Sequence, residues 1–583
     1  MRASDSKGHE RTSNGARRII WCFGMCFAVL PAVRAEDAKK TSEPEAKAEP
    51  TPAAAEVPTR DALKISAQVD ALIDAQLHRK KLPRLDAARD FEFLRRISVD
   101  VAGTTPDAER ARRFLASEEK DRRQKLVDEV LDDEKFGRQF GRVWRDWIAP
   151  AELPSEGNGG NQPITATRNL GKWFAEQFNA GTPWNQIVSG VVNVKGHIKE
   201  NPQGLFFSLT GTDTGIPEPA GATRAISSLF LGIDVQCAQC HDDPYRDWKQ
   251  NDFWGVAAFF RNLEAKFDGR YFGSLKESFG RPSKGAKKTT TRDRSPNGSI
   301  TIPRDSFKNA GDVVMARFVL GDKIEAKAKE ALRPAFTEWL VSAKNPYFAR
   351  AFVNRSWAYL FGRGIIEPVD DMRPSVAPSV PGVLELLTKE FIASDFDVKH
   401  LFRCILNTKT YQRSSLATSD AERSARDLFG RAPVKLLSAD QLRDSLRQAL
   451  GDSRLDLHTY DRKRLGKFGE SSPVGDEYTE FQRLFETDEN DPTAFTFGIP
   501  QFLALLNHPT VTSGGRTVAE LIKKKTSPED AIEALYLSTL ARRPSDAEAK
   551  EALAFIQEGS DASESYAGVL WMLLNRSEFL LLR

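Results

Sequence analysis

The chain has 583 residues, 84 Lys and Arg against 81 Asp and Glu, and a net charge of +3; 40% of it is hydrophobic and 28% charged. This is a folding composition, not a disordered one, and its length exceeds what one small hydrophobic core usually organises. The balanced charge excludes a global pull toward nucleic acid or an anionic membrane.

Residues 1–35 read as a signal peptide. Arg17 and Arg18 precede an apolar run over 19–33, and Val33-Arg34-Ala35 ends it in front of Glu36. The run falls short of the roughly 18 apolar residues of a spanning helix. The protein is therefore expected to be exported, periplasmic or on the cell surface, with a membrane link only if this segment stays uncleaved. Cleavage after Ala35 leaves Cys237, Cys240 and Cys404 as the mature cysteines. Residues 36–60, rich in Ala, Glu, Lys and Pro without apolar periodicity, read as a disordered linker.

Residues 61–265 read as a helical domain. Leu63, Ile65, Val69, Leu72, Ile73 and Leu77 recur at helical spacing, as do Phe91, Phe93, Leu94 and Ile97. Further helices are expected through Phe114, over Leu126–Leu131, from Phe136 to Trp147 and from Trp173 to Val188, with a Gly/Asn loop at 157–162. Asn251 is the expected N-cap of a helix over 252–260. Residues 266–327 form an irregular basic insert, with candidate strands at 299–302 and 313–316. Residues 328–583 are a second helical domain, interrupted by a polar stretch over 451–491. The fold class is thus mainly α: two helical domains joined by an irregular insert with candidate β segments. In the second domain Asn354 and Arg355 interrupt an apolar run and are expected to tie helices together, while Cys404 reads as a buried structural thiol.

The chemistry concentrates at Cys237-Ala238-Gln239-Cys240-His241. Two thiols two residues apart, followed at once by histidine, are the signature of covalent c-type haem: the cysteines form thioethers and the imidazole reaches the iron. Cys237, Cys240 and His241 are the candidate cofactor-binding residues, and His241 the axial ligand. Two other readings stay open. One is a zinc site using the same residues with Asp242 or Asp243; the other is a disulfide or free-thiol structural site. For a sixth iron ligand the chain offers His197, Met315, Met372, His458 and His508, of which His508 reads better as a turn cap. The acid pairs Asp242-Asp243 and Asp370-Asp371 read as loop caps or salt-bridge partners rather than catalytic dyads. No Gly-x-Ser-x-Gly elbow, His-Glu-x-x-His or P-loop is present, so no catalytic residue is assigned.

These residues resemble a known family. Phe230-Leu231-Gly232 through Cys237-Ala238-Gln239-Cys240-His241-Asp242 to Ala257-Ala258-Phe259-Phe260, with Leu94-Arg95-Arg96 and Asp100-Val101-Ala102-Gly103 upstream, is similar to the planctomycete-specific cytochrome-like domain of unknown function, the PSCyt type. Asn345-Pro346-Tyr347-Phe348-Ala349-Arg350-Ala351-Phe352-Val353-Asn354-Arg355-Ser356-Trp357, then Phe361-Gly362-Arg363-Gly364 and Pro368-Val369-Asp370-Asp371, resembles its habitual C-terminal partner, the PSD type. The resemblance implies a haem-dependent module without a stated activity. The chain departs from the family at Asp243, where a second histidine is common, and at Tyr245, where Phe is usual. The reading is an exported protein acting in electron transfer or as a haem-dependent module, with a possible redox partner protein. Alternatives are a non-enzymatic surface interaction or assembly protein with a zinc or disulfide site, and a hydrolase of extracellular polymers.

Overall fold

The computed structural model describes residues 61–148, 164–451, 484–485 and 498–583, less 212–215, 269–270, 280–285, 289–295 and a few positions between 304 and 374. The expected signal peptide, linker and 157–162 loop, and most of the 451–491 stretch, lie outside these residues.

The architecture is mainly α. Helices α1 (Ala62–Arg79), α2 (Asp90–Ala102), α3 (Ala108–Ala116), α4 (Arg122–Asp132), α5 (Glu134–Ile148), α6 (Ile164–Asn179) and α7 (Trp184–Val192) open the described chain. Asp61 starts α1 by accepting the Lys64 N–H at 3.1 Å, a side-chain cap of the kind short polar residues provide. In α5 the phenylalanines at 136 and 140 alternate with Gly137 and Gly141. A Cβ on either glycine would collide with the backbone of α6, so these positions let the two helices approach at near-backbone distance.

Short helices α8 (Leu205–Leu209) and α9 (Pro219–Ile226) lead to α10 (Gln250–Ala257). The helix at α10 begins two residues earlier than Asn251 capping requires: the Asp252 carboxylate reaches back to the Lys249 N–H at 2.9 Å and closes the first turn. The insert then carries the sheet. Strand β1 (Gly196–His197) pairs with β3 (Tyr271–Glu277), which pairs with β2 (Leu263–Asp268), and β4 (Ala286–Lys288) joins the other edge of β2, all antiparallel. The candidate strands of the insert are present as β5 (Ser299–Thr301) and β6 (Val313–Met315), antiparallel with Ile300 opposite Val314.

Helices α11 (Arg333–Leu340), α12 (Phe348–Phe361), α13 (Val383–Ala393), α14 (Val398–Leu406), α15 (Asp420–Ser424) and α16 (Ala439–Leu450) follow. The chain closes with helices between Ile499 and Leu580, and Leu581–Leu582 pairs with Lys435–Leu436. Residues 60–583 form one compact unit. Its larger core draws on both halves of the sequence: Trp144 of α5 and Trp184 of α7 lie 4.4 Å apart, Trp184 and Phe352 of α12 lie 4.5 Å apart, and Phe230 sits 6.1 Å from Trp144. Truncating any of these rings would cost about 3–5 kcal/mol, since the neighbours cannot collapse into the void.

Two arginines of α2 lock the ends together. Arg95 donates to the carbonyls of Thr539 and Phe579 at 2.7 and 2.6 Å, and Arg96 to those of Tyr411 and Arg583 at 2.7 and 2.9 Å. Asn354 ties its helix to a loop through both faces of its amide, donating to Ile366 O at 2.8 Å and accepting from Ile366 N–H at 3.0 Å. Cys404 is fully buried, and burial pushes its thiol up to about 12. It is an inert core residue. Among the described residues no helix is long and apolar enough to cross a membrane.

Candidate functional site

The approach to the Cys-x-x-Cys-His turn is set by a π-helical turn over Ser227–Leu231 that ends at Gly232 in the left-handed region, φ 63°. A Cβ there would stand 2.9 Å from Met372 Cγ and 3.2 Å from Ala351 Cβ, so the position requires glycine both for φ and for space. Beyond it the chain runs as an extended segment against residues 370–372. Asp234 N–H donates to Asp370 O at 2.8 Å, Met372 N–H to Gly232 O at 2.9 Å, and Ile233 bridges Asp371 antiparallel. The motif is thus held by backbone from more than 130 residues downstream.

The motif itself is a tight helical turn. Cys237–Gln239 is 3₁₀, Cys240 N–H donates to Cys237 O at 3.3 Å, and His241 N–H reaches the same carbonyl at 3.4 Å. This places both thiols and the imidazole on one turn. Cys237 and Cys240 are free thiols, partly exposed, as is His241. The turn is anchored from behind by α10. Gln250, fully buried, donates to Cys240 O at 2.9 Å and to Gln239 O at 3.3 Å, and the Trp254 indole N–H donates to Gln239 O at 3.0 Å.

His241 Nδ1 lies 2.7 Å from the carbonyl oxygen of Asp242. A carbonyl can only accept, so Nδ1 carries a proton here, and Nε2 is the nitrogen left to face a ligand. A backbone carbonyl on the far nitrogen is the usual way a metal-ligating imidazole is oriented.

The acids after the motif organise the loop. Asp242 accepts the Gln250 N–H at 2.9 Å and pairs with Lys308 at 2.8 Å. The Lys308 ammonium, then that backbone donor, hold its carboxyl below the usual carboxylate range. Asp243 is buried and accepts the N–H groups of Tyr245 and Arg246 at 2.9 and 3.1 Å. Arg246 bridges Asp243 at 3.3 Å and Asp234 at 3.0 Å, and Arg373 donates to Tyr245 O at 2.8 Å while pairing with Asp371. Where the family commonly has a second imidazole, this chain has a carboxylate committed to its own loop. Both acid pairs serve as caps and ion-pair partners; Asp370 accepts the Ser228 hydroxyl at 3.1 Å.

Of the sixth-ligand candidates, His197 bonds Asp268 through Nε2 at 2.8 Å, and His508 caps a helix by accepting the Thr510 N–H at 3.2 Å. Met315 lies on β6, Met372 is buried against Gly232, and His458 lies outside the described residues. Among the described residues no three His, Cys, Asp or Glu side chains converge to hold a metal ion. Sequence reasoning did not single out Gln250, Trp254, Arg246 or Arg373. A polar Gln opening an aromatic helix was the one local signal, and only the fold shows that it braces the motif.

Residues 68–265 match the PSCyt2 family and residues 332–556 the PSD1 family, each described as a protein of unknown function. The chain carries the PSCyt2-then-PSD1 arrangement. No curated protein and no solved structure matches it. The motif lies in the PSCyt2 segment, and the strand that pins its approach lies in the PSD1 segment.

Proposed function

We propose that Cys237 and Cys240 carry a covalently attached c-type haem with His241 as axial ligand, in an exported protein that exchanges electrons with a redox partner. The observation that carries this reading is the His241 geometry: its Nδ1–H is fixed on the Asp242 carbonyl, leaving Nε2 to ligate from the turn that bears two free thiols. The donor set fits the group. Its carboxylate neighbours Asp242 and Asp243, the acids a zinc site would recruit, are engaged with Lys308, Arg246 and backbone N–H groups. The haem would supply one-electron chemistry. The chain would supply attachment through Cys237 and Cys240, ring orientation through Asp242, and a turn braced by Gln250 and Trp254.

The full chain, exported in cells with haem-maturation machinery, should retain haem on a denaturing gel and give a pyridine haemochrome spectrum. Cys237→Ser with Cys240→Ser should abolish haem on the gel, with native circular dichroism, because both positions are part-exposed. Absence of covalent haem in the unmutated chain, with one zinc per chain by elemental analysis, would overturn the reading in favour of a structural site in an assembly protein.

A further inference from the structure

A second concave site lies where α5 of the PSCyt2 segment meets α12 of the PSD1 segment and the start of α16, and none of the five motif residues lines it. It is a cavity of about 120 Å³, several times the ~30 Å³ that one water occupies in the liquid. Most charged groups on its walls are matched within the chain. Lys435 directs its ammonium to Asp100 at 2.6 Å and to the carbonyls of Tyr359 and Leu360 at 3.1 Å, which uses all three of its donors. Arg142 pairs with Asp444 at 2.7 Å and Arg363 with Asp427 at 2.5 Å, while Glu367 takes the Gly364 N–H at 2.7 Å.

Arg355 is different. It is only 8% exposed and forms no ion pair among the described residues, although Asp370 lies near enough to act on it through its charge. One hydrogen bond goes to Ser228 O at 3.1 Å, and its guanidinium lies 5.2 Å from the Trp147 ring centroid. Burial lowers it to about 10, so it is still cationic at neutral pH. A largely buried guanidinium with a single hydrogen bond gains from an anion that can reach its remaining donors. The fork of an arginine matches a carboxylate in two parallel hydrogen bonds. The lining also has an apolar part, contributed by Val143, Trp147, Ala358 and Val369.

We infer that this cavity binds a small monocarboxylate, its carboxyl on Arg355 and its short apolar body against Val143 and Ala358. Inorganic anions share the charge but not the apolar body, and a neutral amide shares the body but not the charge. These separate the sources.

The test is calorimetric titration of the full chain with propionate, propionamide, chloride and phosphate at matched ionic strength. Propionate should bind saturably, with propionamide, chloride and phosphate at least tenfold weaker. Arg355→Gln should lose the binding, and Arg355→Lys should weaken it about tenfold by removing the fork. Ala358→Leu, which fills the cavity and leaves the guanidinium in place, should lose binding with native circular dichroism, and it keeps the test open if the Arg355 variants fail to fold. No saturable propionate binding, equal affinity for chloride, or binding retained in Ala358→Leu would each overturn the inference.

Discussion

The Cys-x-x-Cys-His turn and the Arg355 cavity flank the same piece of backbone, yet they are built in different ways. The turn gathers its chemistry within five consecutive residues, and distant parts of the fold only brace it. The cavity gathers its groups from positions as far apart as Asp100, Trp147, Arg355 and Lys435. A locally encoded site should tolerate changes elsewhere, provided its platform survives. A site assembled across the fold should fail with the fold. The two meet at Ser228 and Asp370: Ser228 O receives Arg355, and Asp370 O receives the backbone that leads into the motif.

The largest expected effect separates the two regions. Lys435 and Asp100 are both almost fully buried, and Tyr411 donates to the second Asp100 oxygen at 2.9 Å. Lys435→Met removes the cation and leaves a buried carboxylate uncompensated, which should cost about 3–5 kcal/mol in urea unfolding. Adding Asp100→Asn should recover at least half of that, because the amide keeps an acceptor for Tyr411 without the charge. Haem content per folded molecule should not change in either variant. A loss of haem in the folded double variant would show that the turn depends on this wall of the cavity after all.

Much of the helical framework was legible in the sequence, because apolar residues at a period of 3.6 must bury one face. The strands at 299–302 and 313–316 were legible too, from β-branched residues between turn-forming neighbours. The hairpin of β2 and β3 was not, since Phe267 to Tyr271 carries charge and glycine in place of clean alternation. The Cys-x-x-Cys-His string was legible because its five residues are consecutive in the chain. The Asp242 carbonyl that fixes the His241 ring was not, since any residue supplies a carbonyl. Arg355 was read as a helix tie, and it does bond Ser228 O. Its lack of an ion-pair partner depends on which carboxylates the fold brings near, and no local spacing encodes that.

A smaller effect should strike both sites together. Gly232→Ala places a side chain in the left-handed region, at roughly 1–2 kcal/mol, and presses it against Met372 and Ala351. The total should be about 2–3 kcal/mol by urea unfolding. Because the pairing of 232–234 with 370–372 carries the motif on one side and the Ser228 turn on the other, this variant should lower both haem yield and propionate affinity. If only one falls, the two sites do not share this platform.

The smallest effect is a pH dependence confined to the cavity side. Asp146 is held between Arg145 at 2.5 Å and the field of Asp440, and burial raises it from 3.8 to about 6 despite Arg145. The folded state therefore binds a proton more tightly than the unfolded chain. The stability this contributes is present below about 3.8, declines as pH rises, and is gone above about 6. Asp146→Asn should match the unmutated chain near pH 4 and become more stable by about 1–2 kcal/mol at pH 7.5, the shift being discounted for a side chain about a quarter exposed. Urea melts of both chains from pH 4 to 7.5 measure the difference directly. If the variant is instead less stable at pH 7.5, the Arg145 ion pair outweighs burial, and Asp146 is a structural salt-bridge partner that stays ionised at the cavity wall.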